Sequence, residues 1–87
     1  MHSAIIYVVP PKNEMEARNK VGVLLAHIER HEKDGSLLRL GELVWQTNFQ
    51  ESPGALARLV AACEQQAIAY RILPLDSEPQ WIRNDPK

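Results

Sequence analysis

The segment that decides the fold is residues 37–49, with the sequence LLRLGELVWQTNF. It is rich in strand-forming residues and longer than a typical single strand. Gly41-Glu42 divides it, and glycine at the first central position is what a type II′ hairpin turn requires. We therefore predict a β-hairpin with strands at 37–40 and 43–49. One bent strand with a bulge at Gly41 is the alternative.

A strand and a helix precede this hairpin. Residues 4–9, AIIYVV, are apolar throughout and predict a central strand buried on both faces. Asn13 follows as an N-cap with Glu16 in the capping-box position, and Gly35 supplies a left-handed stop. The apolar spacing between these signals predicts a helix from about residue 14 to about residue 33.

A second helix and a last strand follow the hairpin. Ser52-Pro53 provides an N-cap and a proline in the first helical turn, and the apolar spacing ends near Gln66. Residues 70–75 predict the final strand. The order strand, helix, hairpin, helix, strand predicts an α+β ferredoxin-like fold (split βαβ, βαββαβ), with a four-stranded antiparallel sheet and two helices on one face.

The predicted strands carry apolar residues on both faces, and two helices can cover only one of them. We therefore predict a homodimer, because a second copy is the simplest cover for the other face. We assign residues 1–76 to the domain and 77–87 to a C-terminal tail. Trp81 in that polar tail predicts that the tail packs on its own sheet or on the partner's.

The composition narrows the class of protein. The chain has 87 residues, of which 45% are hydrophobic and 24% charged, as expected of one small globular domain. The formal net charge of -1 lacks the basic excess typical of nucleic-acid binding. Cys63 is the sole cysteine, so no internal disulfide can form. No signal-peptide pattern or membrane-spanning run is present, which predicts a cytoplasmic protein without a membrane partner.

Few residues suggest a site. The binding or interface candidates are four residues in predicted strands and one tryptophan in the polar tail: Tyr7, Arg39, Trp45, Arg71 and Trp81. We expect the two arginines to be solvated or at a dimer rim, and Trp45 to be in the core or at an interface. No cofactor motif is present, because the glycines are scattered and form no phosphate loop.

His27 and His31 are four residues apart on the first predicted helix, a spacing that places two imidazoles on one face. They are weak metal candidates, because no third ligand follows at a usual spacing. A solvated helix end is the simpler interpretation. Cys63 falls on the apolar stripe of the second helix and is predicted to be a core residue rather than a nucleophile.

The second half of the chain resembles the CRISPR-associated protein two superfamily, which includes small endoribonucleases of toxin–antitoxin systems. The resemblance covers residues 43–75 and rests on LVWQTNF at 43–49, SPGAL at 52–56 and YRILPL at 70–75. It implies a ferredoxin-like fold and dimerisation by sheet-to-sheet packing. The metal-dependent members carry an aspartate at the end of the first strand, where this chain has Val9-Pro10. The resemblance therefore carries over no catalytic residue.

Three functions follow from these observations. The first is a non-catalytic dimeric binding or assembly module, with a protein or nucleic acid as a further partner. The second is a metal-dependent endoribonuclease with a different acid set, for which Glu14 and Asp76 are the candidates. The third is a ligand-sensing regulatory domain, which the Pro10-Pro11-Lys12 sequence after the first strand disfavours because such domains carry a glycine-rich turn there.

Overall fold

The computed structural model describes residues 2–77 and residue 82. The elements in chain order are β1 (Ser3–Val9), α1 (Glu14–Lys33), β2 (Leu38–Gly41), β3 (Val44–Asn48), α2 (Pro53–Gln65) and β4 (Ala69–Leu75). The strands form one sheet of order β2-β3-β1-β4, in which each neighbouring pair is antiparallel. This arrangement confirms the predicted α+β ferredoxin-like fold.

The hairpin is confirmed over the alternative of one bent strand, but its turn is not the predicted one. Gly41 pairs with Val44, so Glu42 and Leu43 are the turn residues, and the register shifts between Arg39 and Gly41. Gly41 does not adopt a positive φ, so the predicted type II′ turn with Gly41 at its first central position is wrong. Leu40 is the extra residue of a β-bulge, so the turn lies one position further along the chain than predicted.

Local signals determine α1 as predicted. The Asn13 Oδ1 accepts a hydrogen bond from the Glu16 N–H at 3.0 Å, and Gly35 adopts φ +83° just beyond the helix. The Glu16 carboxylate pairs with Lys20 Nζ at 2.7 Å, one turn further along α1. The helix therefore has the N-cap of a capping box, while its glutamate belongs to an i,i+4 ion pair.

The start of α2 differs from the expectation for Ser52. Ser52 occupies the N-cap position before Pro53, but its side chain makes no capping hydrogen bond. Instead, the Asn48 Oδ1 accepts hydrogen bonds from the Gln50 N–H at 2.8 Å and the Glu51 N–H at 3.3 Å. An Asx turn from the last residue of β3 thus directs the chain into α2.

The core lies between the helices and one face of the sheet. The largest fully buried side chains include Trp45, Ile6, Leu24, Ile28 and Leu59. On β1, Ala4, Ile6 and Val8 are fully buried, whereas Tyr7 on the opposite face is 43% exposed. The prediction that β1 is buried on both faces is therefore wrong for the single chain, because the core forms on one face only.

Truncation of the buried indole should destabilise the fold strongly. We expect Trp45→Ala to lower the free energy of unfolding by about 3–5 kcal/mol, because it removes the largest core side chain. Trp45→Phe should cost less than half as much, since the Trp45 Nε1 is buried without a partner among the described residues and its loss removes no hydrogen bond. Urea unfolding followed by far-ultraviolet circular dichroism measures both. Equal losses for the two variants would contradict this packing.

Alanine substitutions at two glycines should change the free energy of unfolding in opposite directions. A Cβ at Gly22, inside α1, or at Gly35 would meet no heavy atom within 4 Å, so only backbone conformation distinguishes the two sites. We expect Gly22→Ala to raise the free energy of unfolding by about 0.5–1 kcal/mol. Gly35→Ala should lower it by about 1–2 kcal/mol, because φ is +83° there. The same urea assay checks the pair, and two shifts of the same sign would disprove the assignment.

Candidate functional site on the open face of the sheet

The face of the sheet opposite the core is organised in rows by the strand register. Gln46 pairs with Leu38 on one side and with Ile5 on the other, and Ile5 pairs with Leu73. These four residues form a row across all four strands. We call the following set the open face: Ile5, Tyr7, Leu38, Val44, Gln46, Arg71 and Leu73.

Large apolar side chains are exposed on this face. Leu73 is 58% exposed, Leu38 56% and Tyr7 43%. Ile5 and Val44 beside them are half-buried. Their alternation along the strands with core residues places all of them on the side away from the core. Tyr7 is one of the predicted site residues, whereas Leu38 and Leu73 are not. Their face follows from the pairing of β2 with β3 and of β4 with β1, which alternation within one strand does not reveal.

Tyr7 and Arg71 are direct neighbours on the open face. They are cross-strand partners in the β1–β4 ladder, and Val44 flanks Tyr7 on the other side. Arg71 is the only formally charged residue of the open face, and it lies on β4 at the sheet edge. The open face thus contains two of the five predicted site residues.

Arg39 and Trp45 lie on the other side of the sheet. The Arg39 guanidinium lies over the indole of Trp45 at 5.5 Å from the ring centroid, and its Nε donates to the Gly41 and Glu42 carbonyls at 3.2 Å. Its Nη1 is 3.8 Å from the Glu32 carboxylate. Arg39 therefore ties the hairpin turn to α1 and to the core. Trp45 belongs to the core, and Trp81 lies outside the described residues, so docking of the tail stays a prediction.

The two acids proposed for a nuclease lie at opposite ends of the sheet. Glu14 begins α1 just after the end of β1, where Val9 pairs with Ala69. Asp76 follows Leu75, which pairs with Ser3 at the other end. A strand of this length separates its ends by about 20 Å. One chain therefore does not bring these two carboxylates to a shared metal ion.

His27 and His31 face a cleft between α1 and α2 of about 370 Å³. Arg30 and Arg58 line the same cleft. The sequence does not indicate that Arg58 is near the histidines, because this proximity depends on the packing of α1 against α2. Residues 2–77 contain no group of three or more histidine, cysteine or acidic side chains placed to hold a metal ion. The histidine pair thus lacks a third ligand within this part of the chain.

Cys63 packs in the core as predicted. Its side chain is fully buried on α2, and burial together with the nearby Glu64 carboxylate raises the pKa of the thiol to about 11. A nucleophilic cysteine needs the opposite environment, exposed and electropositive. The geometry gives Cys63 a structural role.

The thiol should therefore react slowly in the folded protein. At about pH 8, a pKa of about 11 leaves roughly one thiol in a thousand ionised. We expect iodoacetamide to alkylate native Cys63 at least about tenfold more slowly than the same protein in concentrated urea, because unfolding restores both access and ionisation. Mass spectrometry of timed samples measures the two rates, and similar rates would show that Cys63 is exposed.

No protein-family model matches this chain, and neither a curated protein nor a solved structure does. The resemblance to the CRISPR-associated protein two superfamily therefore stays a prediction. Among the described residues, no helix combines the length and apolar character needed to cross a membrane.

Proposed function

We propose that this protein is a non-catalytic homodimeric assembly module whose open face packs against the open face of a second copy. The observation that carries the proposal is the joint exposure of Tyr7, Leu38 and Leu73 on the sheet face away from the core. Contiguous apolar surface of this kind marks interaction sites in soluble proteins.

Stability favours a second copy as the occupant. A chain of 87 residues buries a modest fraction of its surface, and domains of this size often gain stability by association. Two-fold symmetric contact uses the same patch on both subunits, so one apolar face is sufficient. Sheets pack face to face at about 10 Å with interdigitating side chains. On the open face, the exposed Leu38 and Leu73 stand on the two edge strands, and the half-buried Ile5 and Val44 lie on the central strands between them.

The distribution of charge on the open face also suits a subunit interface. Interface cores are depleted in charged residues, whereas their rims are polar. Arg71 is the one charge of the open face and lies on the edge strand β4, while the central strands contribute Ile5, Tyr7, Val44 and Gln46. A charge at the edge of the face is compatible with a two-fold contact whose rim is polar.

The other two functions receive less support. The separation of Glu14 from Asp76 removes the acid set on which the nuclease hypothesis depends. The ligand-sensing hypothesis still lacks a glycine-rich turn after β1, where Pro10-Pro11-Lys12 stands. Single-stranded nucleic acid is the competing occupant of the open face, since a base can stack on Tyr7 beside the Arg71 cation.

Sedimentation velocity over a range of protein concentrations tests the proposal. We expect a particle of twice the chain mass of 9.9 kDa. Leu73→Glu should raise the dimer dissociation constant at least about 100-fold, because it buries an unpaired carboxylate in each subunit. Met15→Glu is the matched control, since Met15 is 74% exposed on α1, away from the sheet.

The control must leave the dimer unchanged, and both variants must keep the wild-type circular dichroism spectrum. A wild-type monomer at tens of micromolar would reject the dimer. In that case, binding of a short single-stranded RNA that is lost in Tyr7→Ala would assign the open face to nucleic acid. A dimer unaffected by Leu73→Glu would place the interface elsewhere.

A further inference from the structure

The cleft between α1 and α2 carries an arrangement of charges that the proposed dimer does not use. Four lining residues are spaced i, i+3, i+4 and i+7 along the chain: His27, Arg30 and His31 on α1, and Asp34 at its C-cap. On the other wall, Glu51 and Ser52 precede α2, and Arg58 lies in its second turn. Side chains from both helices therefore face the same space.

Both signs of charge line the cleft. Asp34 and Glu51 lie at the end where α1 terminates and α2 begins, next to Ser36. Arg30 is one turn back along α1, and Arg58 is about one turn into α2. Cationic and acidic side chains therefore share the cleft, with Arg30 and Asp34 one turn apart along the same face.

The two arginines retain their binding capacity. Neither Arg30 nor Arg58 forms an ion pair with a described residue, although two carboxylates line the same cleft. The Asp34 carboxylate accepts the Ser36 N–H at 2.8 Å, and hydrogen bonding from Ser36 lowers the pKa of Asp34 below its ordinary value. That acid is thus engaged within its own loop.

A second observation lies at the acidic end. A smaller cavity of about 170 Å³ shares Ser36, Glu51 and Ser52 with the cleft and is lined by Thr47. Thr47 is 1% exposed, and its hydroxyl has no hydrogen-bond partner among the described residues. Buried polar groups are normally satisfied, so this unpartnered hydroxyl points to a polar ligand group or a bound water in the smaller cavity.

We infer that this cleft binds a small phosphate monoester, with the phosphoryl group between Arg30 and Arg58 and the polar part of the ligand toward Glu51 and Thr47. Guanidinium groups form paired hydrogen bonds with phosphoryl oxygens. The imidazoles of His27 and His31 can donate further hydrogen bonds. The cleft volume of about 370 Å³ suits a small molecule.

A titration with inorganic phosphate as the probe tests this inference. We expect ¹⁵N-resolved amide signals of Ser36, Gly54 and Ala55 to shift saturably with sodium phosphate at constant ionic strength. Sodium chloride alone should not reproduce the shifts. The double variant Arg30→Gln/Arg58→Gln should raise the phosphate midpoint at least about tenfold, because it removes two charged donors.

Arg18→Gln is the control for the loss of one positive charge on α1, because Arg18 lies outside the cleft, and it should leave the midpoint unchanged. Arg58→Lys keeps the charge and loses the paired geometry, so it should weaken binding even if the double variant unfolds. Absence of saturable shifts, or equal weakening by Arg18→Gln, would overturn the inference. So would binding of a short oligothymidylate through Arg30 and Arg58 without binding of phosphate.

Discussion

The dominant constraint on this protein is that its hydrophobic core forms on only one face of a four-stranded sheet. Trp45 sits at the centre of that face, fully buried and paired across the ladder with Ile6. The helical side chains that cover it come from both α1 and α2, including Leu24 and Leu59. Everything on the opposite face is left with solvent or another molecule. The exposure of Leu73 and Leu38 is the direct consequence of this one-sided packing.

Arg39 links that core to the edge of the sheet. Its guanidinium lies over the Trp45 ring, and its hydrogen bonds to the Gly41 and Glu42 carbonyls hold the hairpin turn. A strand arginine that appears in the sequence as a solvated or interface group therefore has a structural role. At the other end of the hairpin, pairing begins at Leu38 and Gln46, so Thr47 lies beyond the paired part and beside the cavity near Ser52.

The parts of the fold that sequence predicts well are those fixed by local chemistry. Asn13 and Gly35 act within a few residues of themselves, so the bounds of α1 follow from the sequence. The turn at Glu42-Leu43 does not, because it depends on a bulge that Arg39 supports. Ser52 and Asn48 are both good capping residues, and only the backbone path selects Asn48. The candidate site is harder still to predict from the sequence, because the separation of Glu14 from Asp76 depends on the strand register.

The open face and the cleft lie on opposite sides of the sheet, and this geometry has a consequence for how they operate together. Pairing of two open faces leaves both α1–α2 clefts on the outer surface of the dimer. Arg30 and Arg58 would then remain accessible in each subunit, and occupancy of one site would require no opening of the interface. Energetic coupling between the two sites would have to be transmitted through the core, where β3 contributes Trp45 to one face and Gln46 to the other. A tightly packed layer of this kind transmits strain poorly unless an element has two stable arrangements, so the two sites should act independently.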